Sequence, residues 1–183
     1  MELITLNRAD SKFTGTVEVE SGTLIIKSTN ALGKLTMTGG AFGGIDIGVI
    51  VSDAEWFAGD FIFYDNITLG SGDLDMIRIN GAFIKSGDGK IGVDFDGFDP
   101  TVFIEDGTML DLISASEEER EGFSADANDD FYAKNLTNGF ANFEWNGDFL
   151  TVSFSNVPEP ATVAAILGGL ALAAATLRRR KSR

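Results

Sequence analysis

The feature that most constrains this chain is a period-2 alternation of apolar and polar residues that recurs along positions 1–156. Val17 and Val19 alternate with Thr16, Glu18 and Glu20, and Leu35 and Met37 with Lys34, Thr36 and Thr38. Ile45, Ile47, Val49 and Val51 fall on one face, Ile77 and Ile79 flank Arg78, and Ile91, Val93 and Phe95 alternate with Gly92, Asp94 and Asp96. Leu150, Val152 and Phe154 close the series. Successive side chains of a strand point to opposite faces, so each run reads as a half-buried strand. The runs are punctuated by Ser21-Gly22, Gly39-Gly40, Gly43-Gly44, Ser71-Gly72-Asp73, Gly87-Asp88-Gly89 and Asn146-Gly147-Asp148. Such clusters tolerate positive φ and mark hairpin turns. The expectation is an all-β fold: an antiparallel β-sandwich, jelly-roll-like, followed by a single C-terminal transmembrane helix. A β-solenoid is the alternative, for which no fixed-period repeat is visible. One helical patch interrupts the pattern. Ser116 as N-cap with Glu119 three residues on fits a capping box and predicts a short helix from Glu117 to about Gly122.

Charge divides the chain in two. Fourteen Lys and Arg stand against 28 Asp and Glu, a net of −14. Five of the basic residues lie in the last six positions, and no acidic residue follows Glu159. Residues 1–160 therefore carry −19 and the remainder +5. A strongly acidic domain lacks the basic surface that phosphate recognition needs, which excludes a nucleic-acid partner. The chain has no Cys and no His. Disulfides, thiolate zinc sites and Cys or Ser–His nucleophile chemistry are thereby removed. No catalytic residue is assigned, and the chain is expected not to be an enzyme.

Between the two charge blocks, Ala161 to Leu177 runs without a charge and consists of Ala, Val, Ile and Leu apart from two Gly and two Thr. As a helix it spans about 25 Å, at the short end for a bilayer crossing. With no polar face, it reads as a membrane helix rather than a helix packed on the domain. The basic cluster Arg178, Arg179, Arg180 and Lys181 follows directly and acts as a stop-transfer signal held on the cytoplasmic side. Ahead of the apolar stretch stand Val157, Pro158, Glu159, Pro160, Ala161 and Thr162. The two prolines fix their own φ and push Val157 and Glu159 toward extended geometry, an exposed peptide beside the membrane.

These three parts in this order, with the Gly169-Leu170 pair inside the apolar stretch, resemble the PEP-CTERM sorting signal of bacterial exported proteins. The same stretch is also labelled an ice-binding-protein C-terminal domain, a name that carries no statement about ice. The resemblance covers residues 157–183: motif 157–162, membrane helix 161–177, basic tail 178–183. It implies an exosortase as partner and a transient anchor in the bacterial inner membrane. It also implies cleavage near Pro158–Pro160 and release of the acidic 1–156 domain to the cell surface or extracellular matrix, among extracellular polysaccharide. Proteins of this kind carry an N-terminal secretion signal. Residues 1–10 show no basic n-region and no apolar h-region, and Leu3-Ile4-Thr5-Leu6 already reads as a strand, so an upstream leader is expected.

Two groups in the domain invite a binding role. Asp94, Asp96 and Asp99, and Asp126, Asn128, Asp129 and Asp130, form oxygen-rich stretches. These read either as a loose Ca²⁺ site or as solvated acidic loops, and an EF-hand is excluded because Phe131 and Thr137 stand where its glycine and glutamate belong. No other cofactor is implied. Trp56, Phe57, Phe61, Phe63, Tyr64, Tyr132, Phe143 and Trp145 either fill the core or include a platform for carbohydrate. The overall reading is a non-enzymatic envelope or matrix protein, with a carbohydrate- or calcium-binding module delivered the same way as the alternative.

Overall fold

A computed structural model describes residues 3–6, 13–26, 31–44, 49–63, 76–95 and 99–156. Thirteen strands among them form one continuous ladder that does not close into a barrel. The chain makes successive parallel passes. β1 (Leu3–Leu6) lies beside β3 (Thr23–Ile26). β2 (Phe13–Val19) and β3 lie beside β4 (Ala31–Gly44), and β4 beside β5 (Val49–Phe63). The far edge of β5 carries β6 (Ile77–Ile79), β7 (Phe83–Lys85) and β8 (Ile91–Asp94). Those three carry β9 (Leu110–Ala115), β10 (Arg120–Glu121) and β11 (Phe131–Lys134). A hairpin of β12 (Phe140–Asn146) and β13 (Phe149–Ser155) ends the stack, with β13 antiparallel to β9.

The all-β expectation holds, but the strand direction differs from the one expected. Ten of the twelve described pairings are parallel, and only β12–β13 and β13–β9 are antiparallel. An antiparallel jelly-roll sandwich is therefore corrected to a stack of parallel passes, the arrangement of the β-solenoid alternative. Alternation reports that a strand has one buried face and is silent about the direction of its neighbours.

The repeat that sequence reading missed is present in the register. Leu24 stands opposite Phe42, and Phe42 opposite Phe61, two steps of almost equal length along the chain. Insertions then widen the pass: Phe61 faces Val93 and Val93 faces Ala133, each a much longer step than the first two. Columns of like residues result. Leu32, Val51, Ile79 and Ala115 stack in register, as do Val49, Ile77, Ile113 and Leu150, and every member is buried. Each column removes apolar surface from water at every step of the stack, which is the main stabilising term of such a fold.

The glycine clusters explain the misread turns. Gly39-Gly40 lies inside β4 rather than between strands, and Gly59 lies inside β5. Gly40 and Gly59 have φ of +64° and +108°. A β-carbon on Gly40 would lie 2.7 Å from the Gly22 carbonyl oxygen, and one on Gly59 would lie 2.7 Å from that of Gly39. These glycines form a corner where the passes bend and their backbones touch. Ser21-Gly22 and Gly87-Asp88-Gly89 lie between strands as read but do not close hairpins, Ser71-Gly72-Asp73 lies outside the described residues, and Asn146-Gly147-Asp148 closes the β12–β13 hairpin with Gly147 at φ +58°.

The helical patch is also smaller than expected. A single 3-10 turn, Glu117–Glu119, runs into β10, and the Ser116 side chain makes no cap. The Asp148 carboxylate takes that place, accepting the Glu117 N–H at 2.9 Å from the hairpin turn. Two short helices lie elsewhere, α1 (Thr101–Asp106) and α2 (Ala127–Asp130).

Candidate functional site: an arginine–tryptophan cleft at the end of the stack

Asp94, Asp99, Asp126, Asn128 and Asp130, five members of the acidic stretches, make internal hydrogen bonds with their side chains. Asp126 caps α2, its Oδ1 accepting the N–H of Asn128 at 2.9 Å and its Nδ2–H at 3.0 Å. The Asn128 backbone bond holds the Asp126 carboxyl below the usual range. Asp130 is buried and accepts the Ser124 N–H, with Lys85 Nζ at 3.3 Å. Asp99 accepts the Thr101 hydroxyl, the Thr101 N–H and the Asn138 amide, and the hydroxyl bond does most to hold its pKa down. Asp94 accepts the Asn135 amide on both oxygens at 2.9 Å. Asp96 lies outside the described residues, as does Tyr64. Among the described residues no group of three acidic side chains is placed to hold a metal ion.

Asn128 does something that its sequence position does not reveal. Its Oδ1 accepts the Phe143 N–H at 2.9 Å, and its Nδ2 donates to the Phe143 carbonyl at 3.0 Å. The side-chain amide thus pairs with the edge of β12 as a neighbouring strand would.

Most of the candidate aromatics are core. Trp56, Phe61, Phe63 and Phe143 are buried, and the Trp56 Nε1–H donates to the Gly59 carbonyl at 3.0 Å. Phe57 and Tyr132 are exposed, on different strands. Trp145 differs from all of these.

Trp145 sits near the end of β12, ringed by Phe123 at 5.7 Å and Phe131 at 6.0 Å, both edge-on. Arg120, in the two-residue β10, lies over its face with the guanidinium carbon 3.9 Å from the ring centroid. Arg120 Nη2 donates to the Gly147 carbonyl at 2.9 Å. Among the described residues, Arg120 Nη1 and Trp145 Nε1 are both buried without a hydrogen-bond partner. Burial pushes the Arg120 guanidinium down from its ordinary pKa, and the charges of Glu117 and Asp148 act in the opposite direction. Together with Glu117, Phe123, Ser124, Ala125 and Gly147, the two residues line a cleft of about 400 Å³, the size range of small-molecule sites. Two unpaired buried donors cost about 1–3 kcal/mol each. Trp145 was among the aromatics singled out, whereas Arg120 carried no local signal beyond being one of few cations in an acidic domain.

The other part of the chain with functional content is its C-terminus. A family model described as the PEP-CTERM protein-sorting motif matches residues 156–181. This chain carries a PEP-CTERM sorting signal. Comparison with curated proteins and with solved structures found no match. The PEP-CTERM match covers Val157, Pro158, Glu159, Pro160 and Thr162, the Gly169-Leu170 pair, and Arg178, Arg179, Arg180 and Lys181. All of these lie outside the described residues, and so does the membrane helix expected over 161–177. Among the described residues no helix is long and apolar enough to cross a membrane. The β13 strand ends at Ser155, so the sorting signal begins where the described fold stops.

Proposed function

We propose that this is an exported, non-enzymatic surface or matrix protein. Its acidic β domain is delivered by an exosortase acting on the C-terminal signal. The observation that carries the reading is the match over residues 156–181, since such motifs direct export sorting through that enzyme. The order of its parts supports an anchored intermediate: an extended Pro-Glu-Pro peptide, an uncharged stretch and a basic tail that the positive-inside rule retains in the cytoplasm. The absence of His and Cys supports a holding or binding role over a catalytic one. Expressing the chain behind a bacterial secretion signal, in cells that hold an exosortase, with and without residues 161–183, and fractionating the cells tests it. The full chain should reach the membrane and then the surface, and the shortened chain should not associate with membrane.

A second reading, a carbohydrate-binding module delivered the same way, is favoured by the Arg120–Trp145 cleft. Calcium is less well supported, because the described oxygens of Asp94, Asp99, Asp126 and Asp130 already accept internal hydrogen bonds.

A further inference from the structure

We propose that the Arg120–Trp145 cleft binds a neutral polyhydroxylated ring, a sugar residue of an extracellular polysaccharide. Arg120 serves as the movable cover of the site. The proposal rests on the carbohydrate-binding reading and gives it a location.

Three observations carry it. First, the two buried donors that lack partners, Arg120 Nη1 and Trp145 Nε1, belong to residues that line one cleft. Native proteins leave few such groups, and each calls for an acceptor. Second, the guanidinium at 3.9 Å covers the indole face, and among the described residues its side chain is held by one hydrogen bond, to Gly147, and by the charges of Glu117 and Asp148. Turning it aside costs that bond and the cation–π contact, and it opens an aromatic face and frees the Arg120 donors. Third, the cleft also contains Glu117, an acceptor beside the donors. Hydroxyl groups both accept and donate, so a sugar ring whose C–H face lies on the indole can accept from Arg120 and donate to Glu117.

The local charge selects against an anionic ligand. Glu117 and Asp148 both act electrostatically on Arg120, two negative groups against one positive. A carboxylate or phosphate entering the cleft would be repelled by both.

The two tryptophans make the test direct. On the full chain in non-ionic detergent, each indole N–H gives one resonance. Trp145→Phe assigns the pair, and Trp56, hydrogen-bonded to Gly59, is the internal reference. Glucose, galactose, mannose, N-acetylglucosamine and acetate are titrated, each to about 50 mM, with saturation-transfer spectra of the ligand recorded in parallel. The expected result is a saturable shift of the Trp145 resonance with at least one sugar, no response to acetate, and an unmoved Trp56 resonance. Arg120→Met should weaken that response about tenfold, the loss of one good hydrogen-bonded contact. Saturation transfer without a Trp145 shift places the sugar elsewhere and overturns this site while leaving the carbohydrate reading standing. Neither signal with any sugar overturns both. An equal response to acetate overturns the selection for a neutral ring.

Discussion

Gly40 lies one pass along the stack from Gly22, so close that a β-carbon on it would come within 2.7 Å of the Gly22 carbonyl oxygen. Gly59 stands in the same relation to Gly39. The corner of the stack is thus built on backbone-to-backbone contact, with φ of +64° and +108° at Gly40 and Gly59. Alanine at either position should destabilise the fold by about 1–3 kcal/mol from backbone strain alone, with the contact adding to it. Gly147 provides the comparison: its φ is +58°, but among the described residues nothing lies within 4 Å of a β-carbon there. Gly147→Ala should cost only the strain of the left-handed conformation, about 1–2 kcal/mol. Urea unfolding of the three variants should rank Gly40 and Gly59 well ahead of Gly147, and equal costs would refute the corner contact.

The Lys85–Asp130 pair joins β7 to the end of α2, with both side chains largely buried. Asp130→Ala leaves Lys85 without its carboxylate and the Ser124 N–H without its acceptor. The expected loss is about 3–5 kcal/mol. Lys34–Glu55, a more exposed pair at 2.6 Å, should behave differently. Lys34→Ala should leave the unfolding midpoint almost unchanged.

Asn128 closes the edge of β12 through Phe143. Asn128→Ala frees a backbone N–H and carbonyl on an edge strand. Loss of stability of about 1–3 kcal/mol is expected, together with concentration-dependent association in sedimentation velocity. A variant that remains monomeric at high concentration would show that the amide does not guard the edge.

Stability should fall on the acid side in a defined window. Lys34 lowers the Glu55 pKa, Thr101 lowers that of Asp99, and Asn128 lowers that of Asp126. A carboxylate with a depressed native pKa stabilises the fold above its unfolded value, about 4. That contribution is lost as pH falls through the lower native value. The melting temperature should therefore be insensitive to these three groups above about pH 5 and decline below about pH 4. Asp99→Asn should flatten part of the decline, and an unchanged profile would remove Asp99 from the account.

Much of the domain was legible in sequence, and the rest was not for identifiable reasons. Leu35, Met37, Val51, Ile77, Val93 and Val152 were all placed on inward faces, and all are buried. The pairing direction was not readable, because Leu32 facing Val51 in parallel and Leu150 facing Trp145 in antiparallel leave the same alternation behind. The repeat was hidden because the passes lengthen, from the short steps linking Leu24, Phe42 and Phe61 to the long ones linking Phe61, Val93 and Ala133. Asp148 was read only as part of a turn, yet it supplies the cap expected of Ser116. Trp145 was visible as an aromatic beside Glu144, but its partner Arg120 lies far back along the chain and is brought to it only by the hairpin folding back on the last pass. The sorting motif was legible because its parts, a Pro-Glu-Pro peptide, an apolar stretch and a charge cluster, are contiguous in the sequence, and none needs tertiary structure to be recognised.

In the proposed function the acidic domain and the basic tail part company during export. Intact-mass measurement of the protein recovered from the cell surface, in cells with and without the exosortase, tests it most directly. A surface form ending near Pro158–Pro160 is expected when the enzyme is present, and a membrane-bound form ending at Arg183 when it is absent. A surface form that still ends at Arg183 in cells holding the enzyme would contradict it.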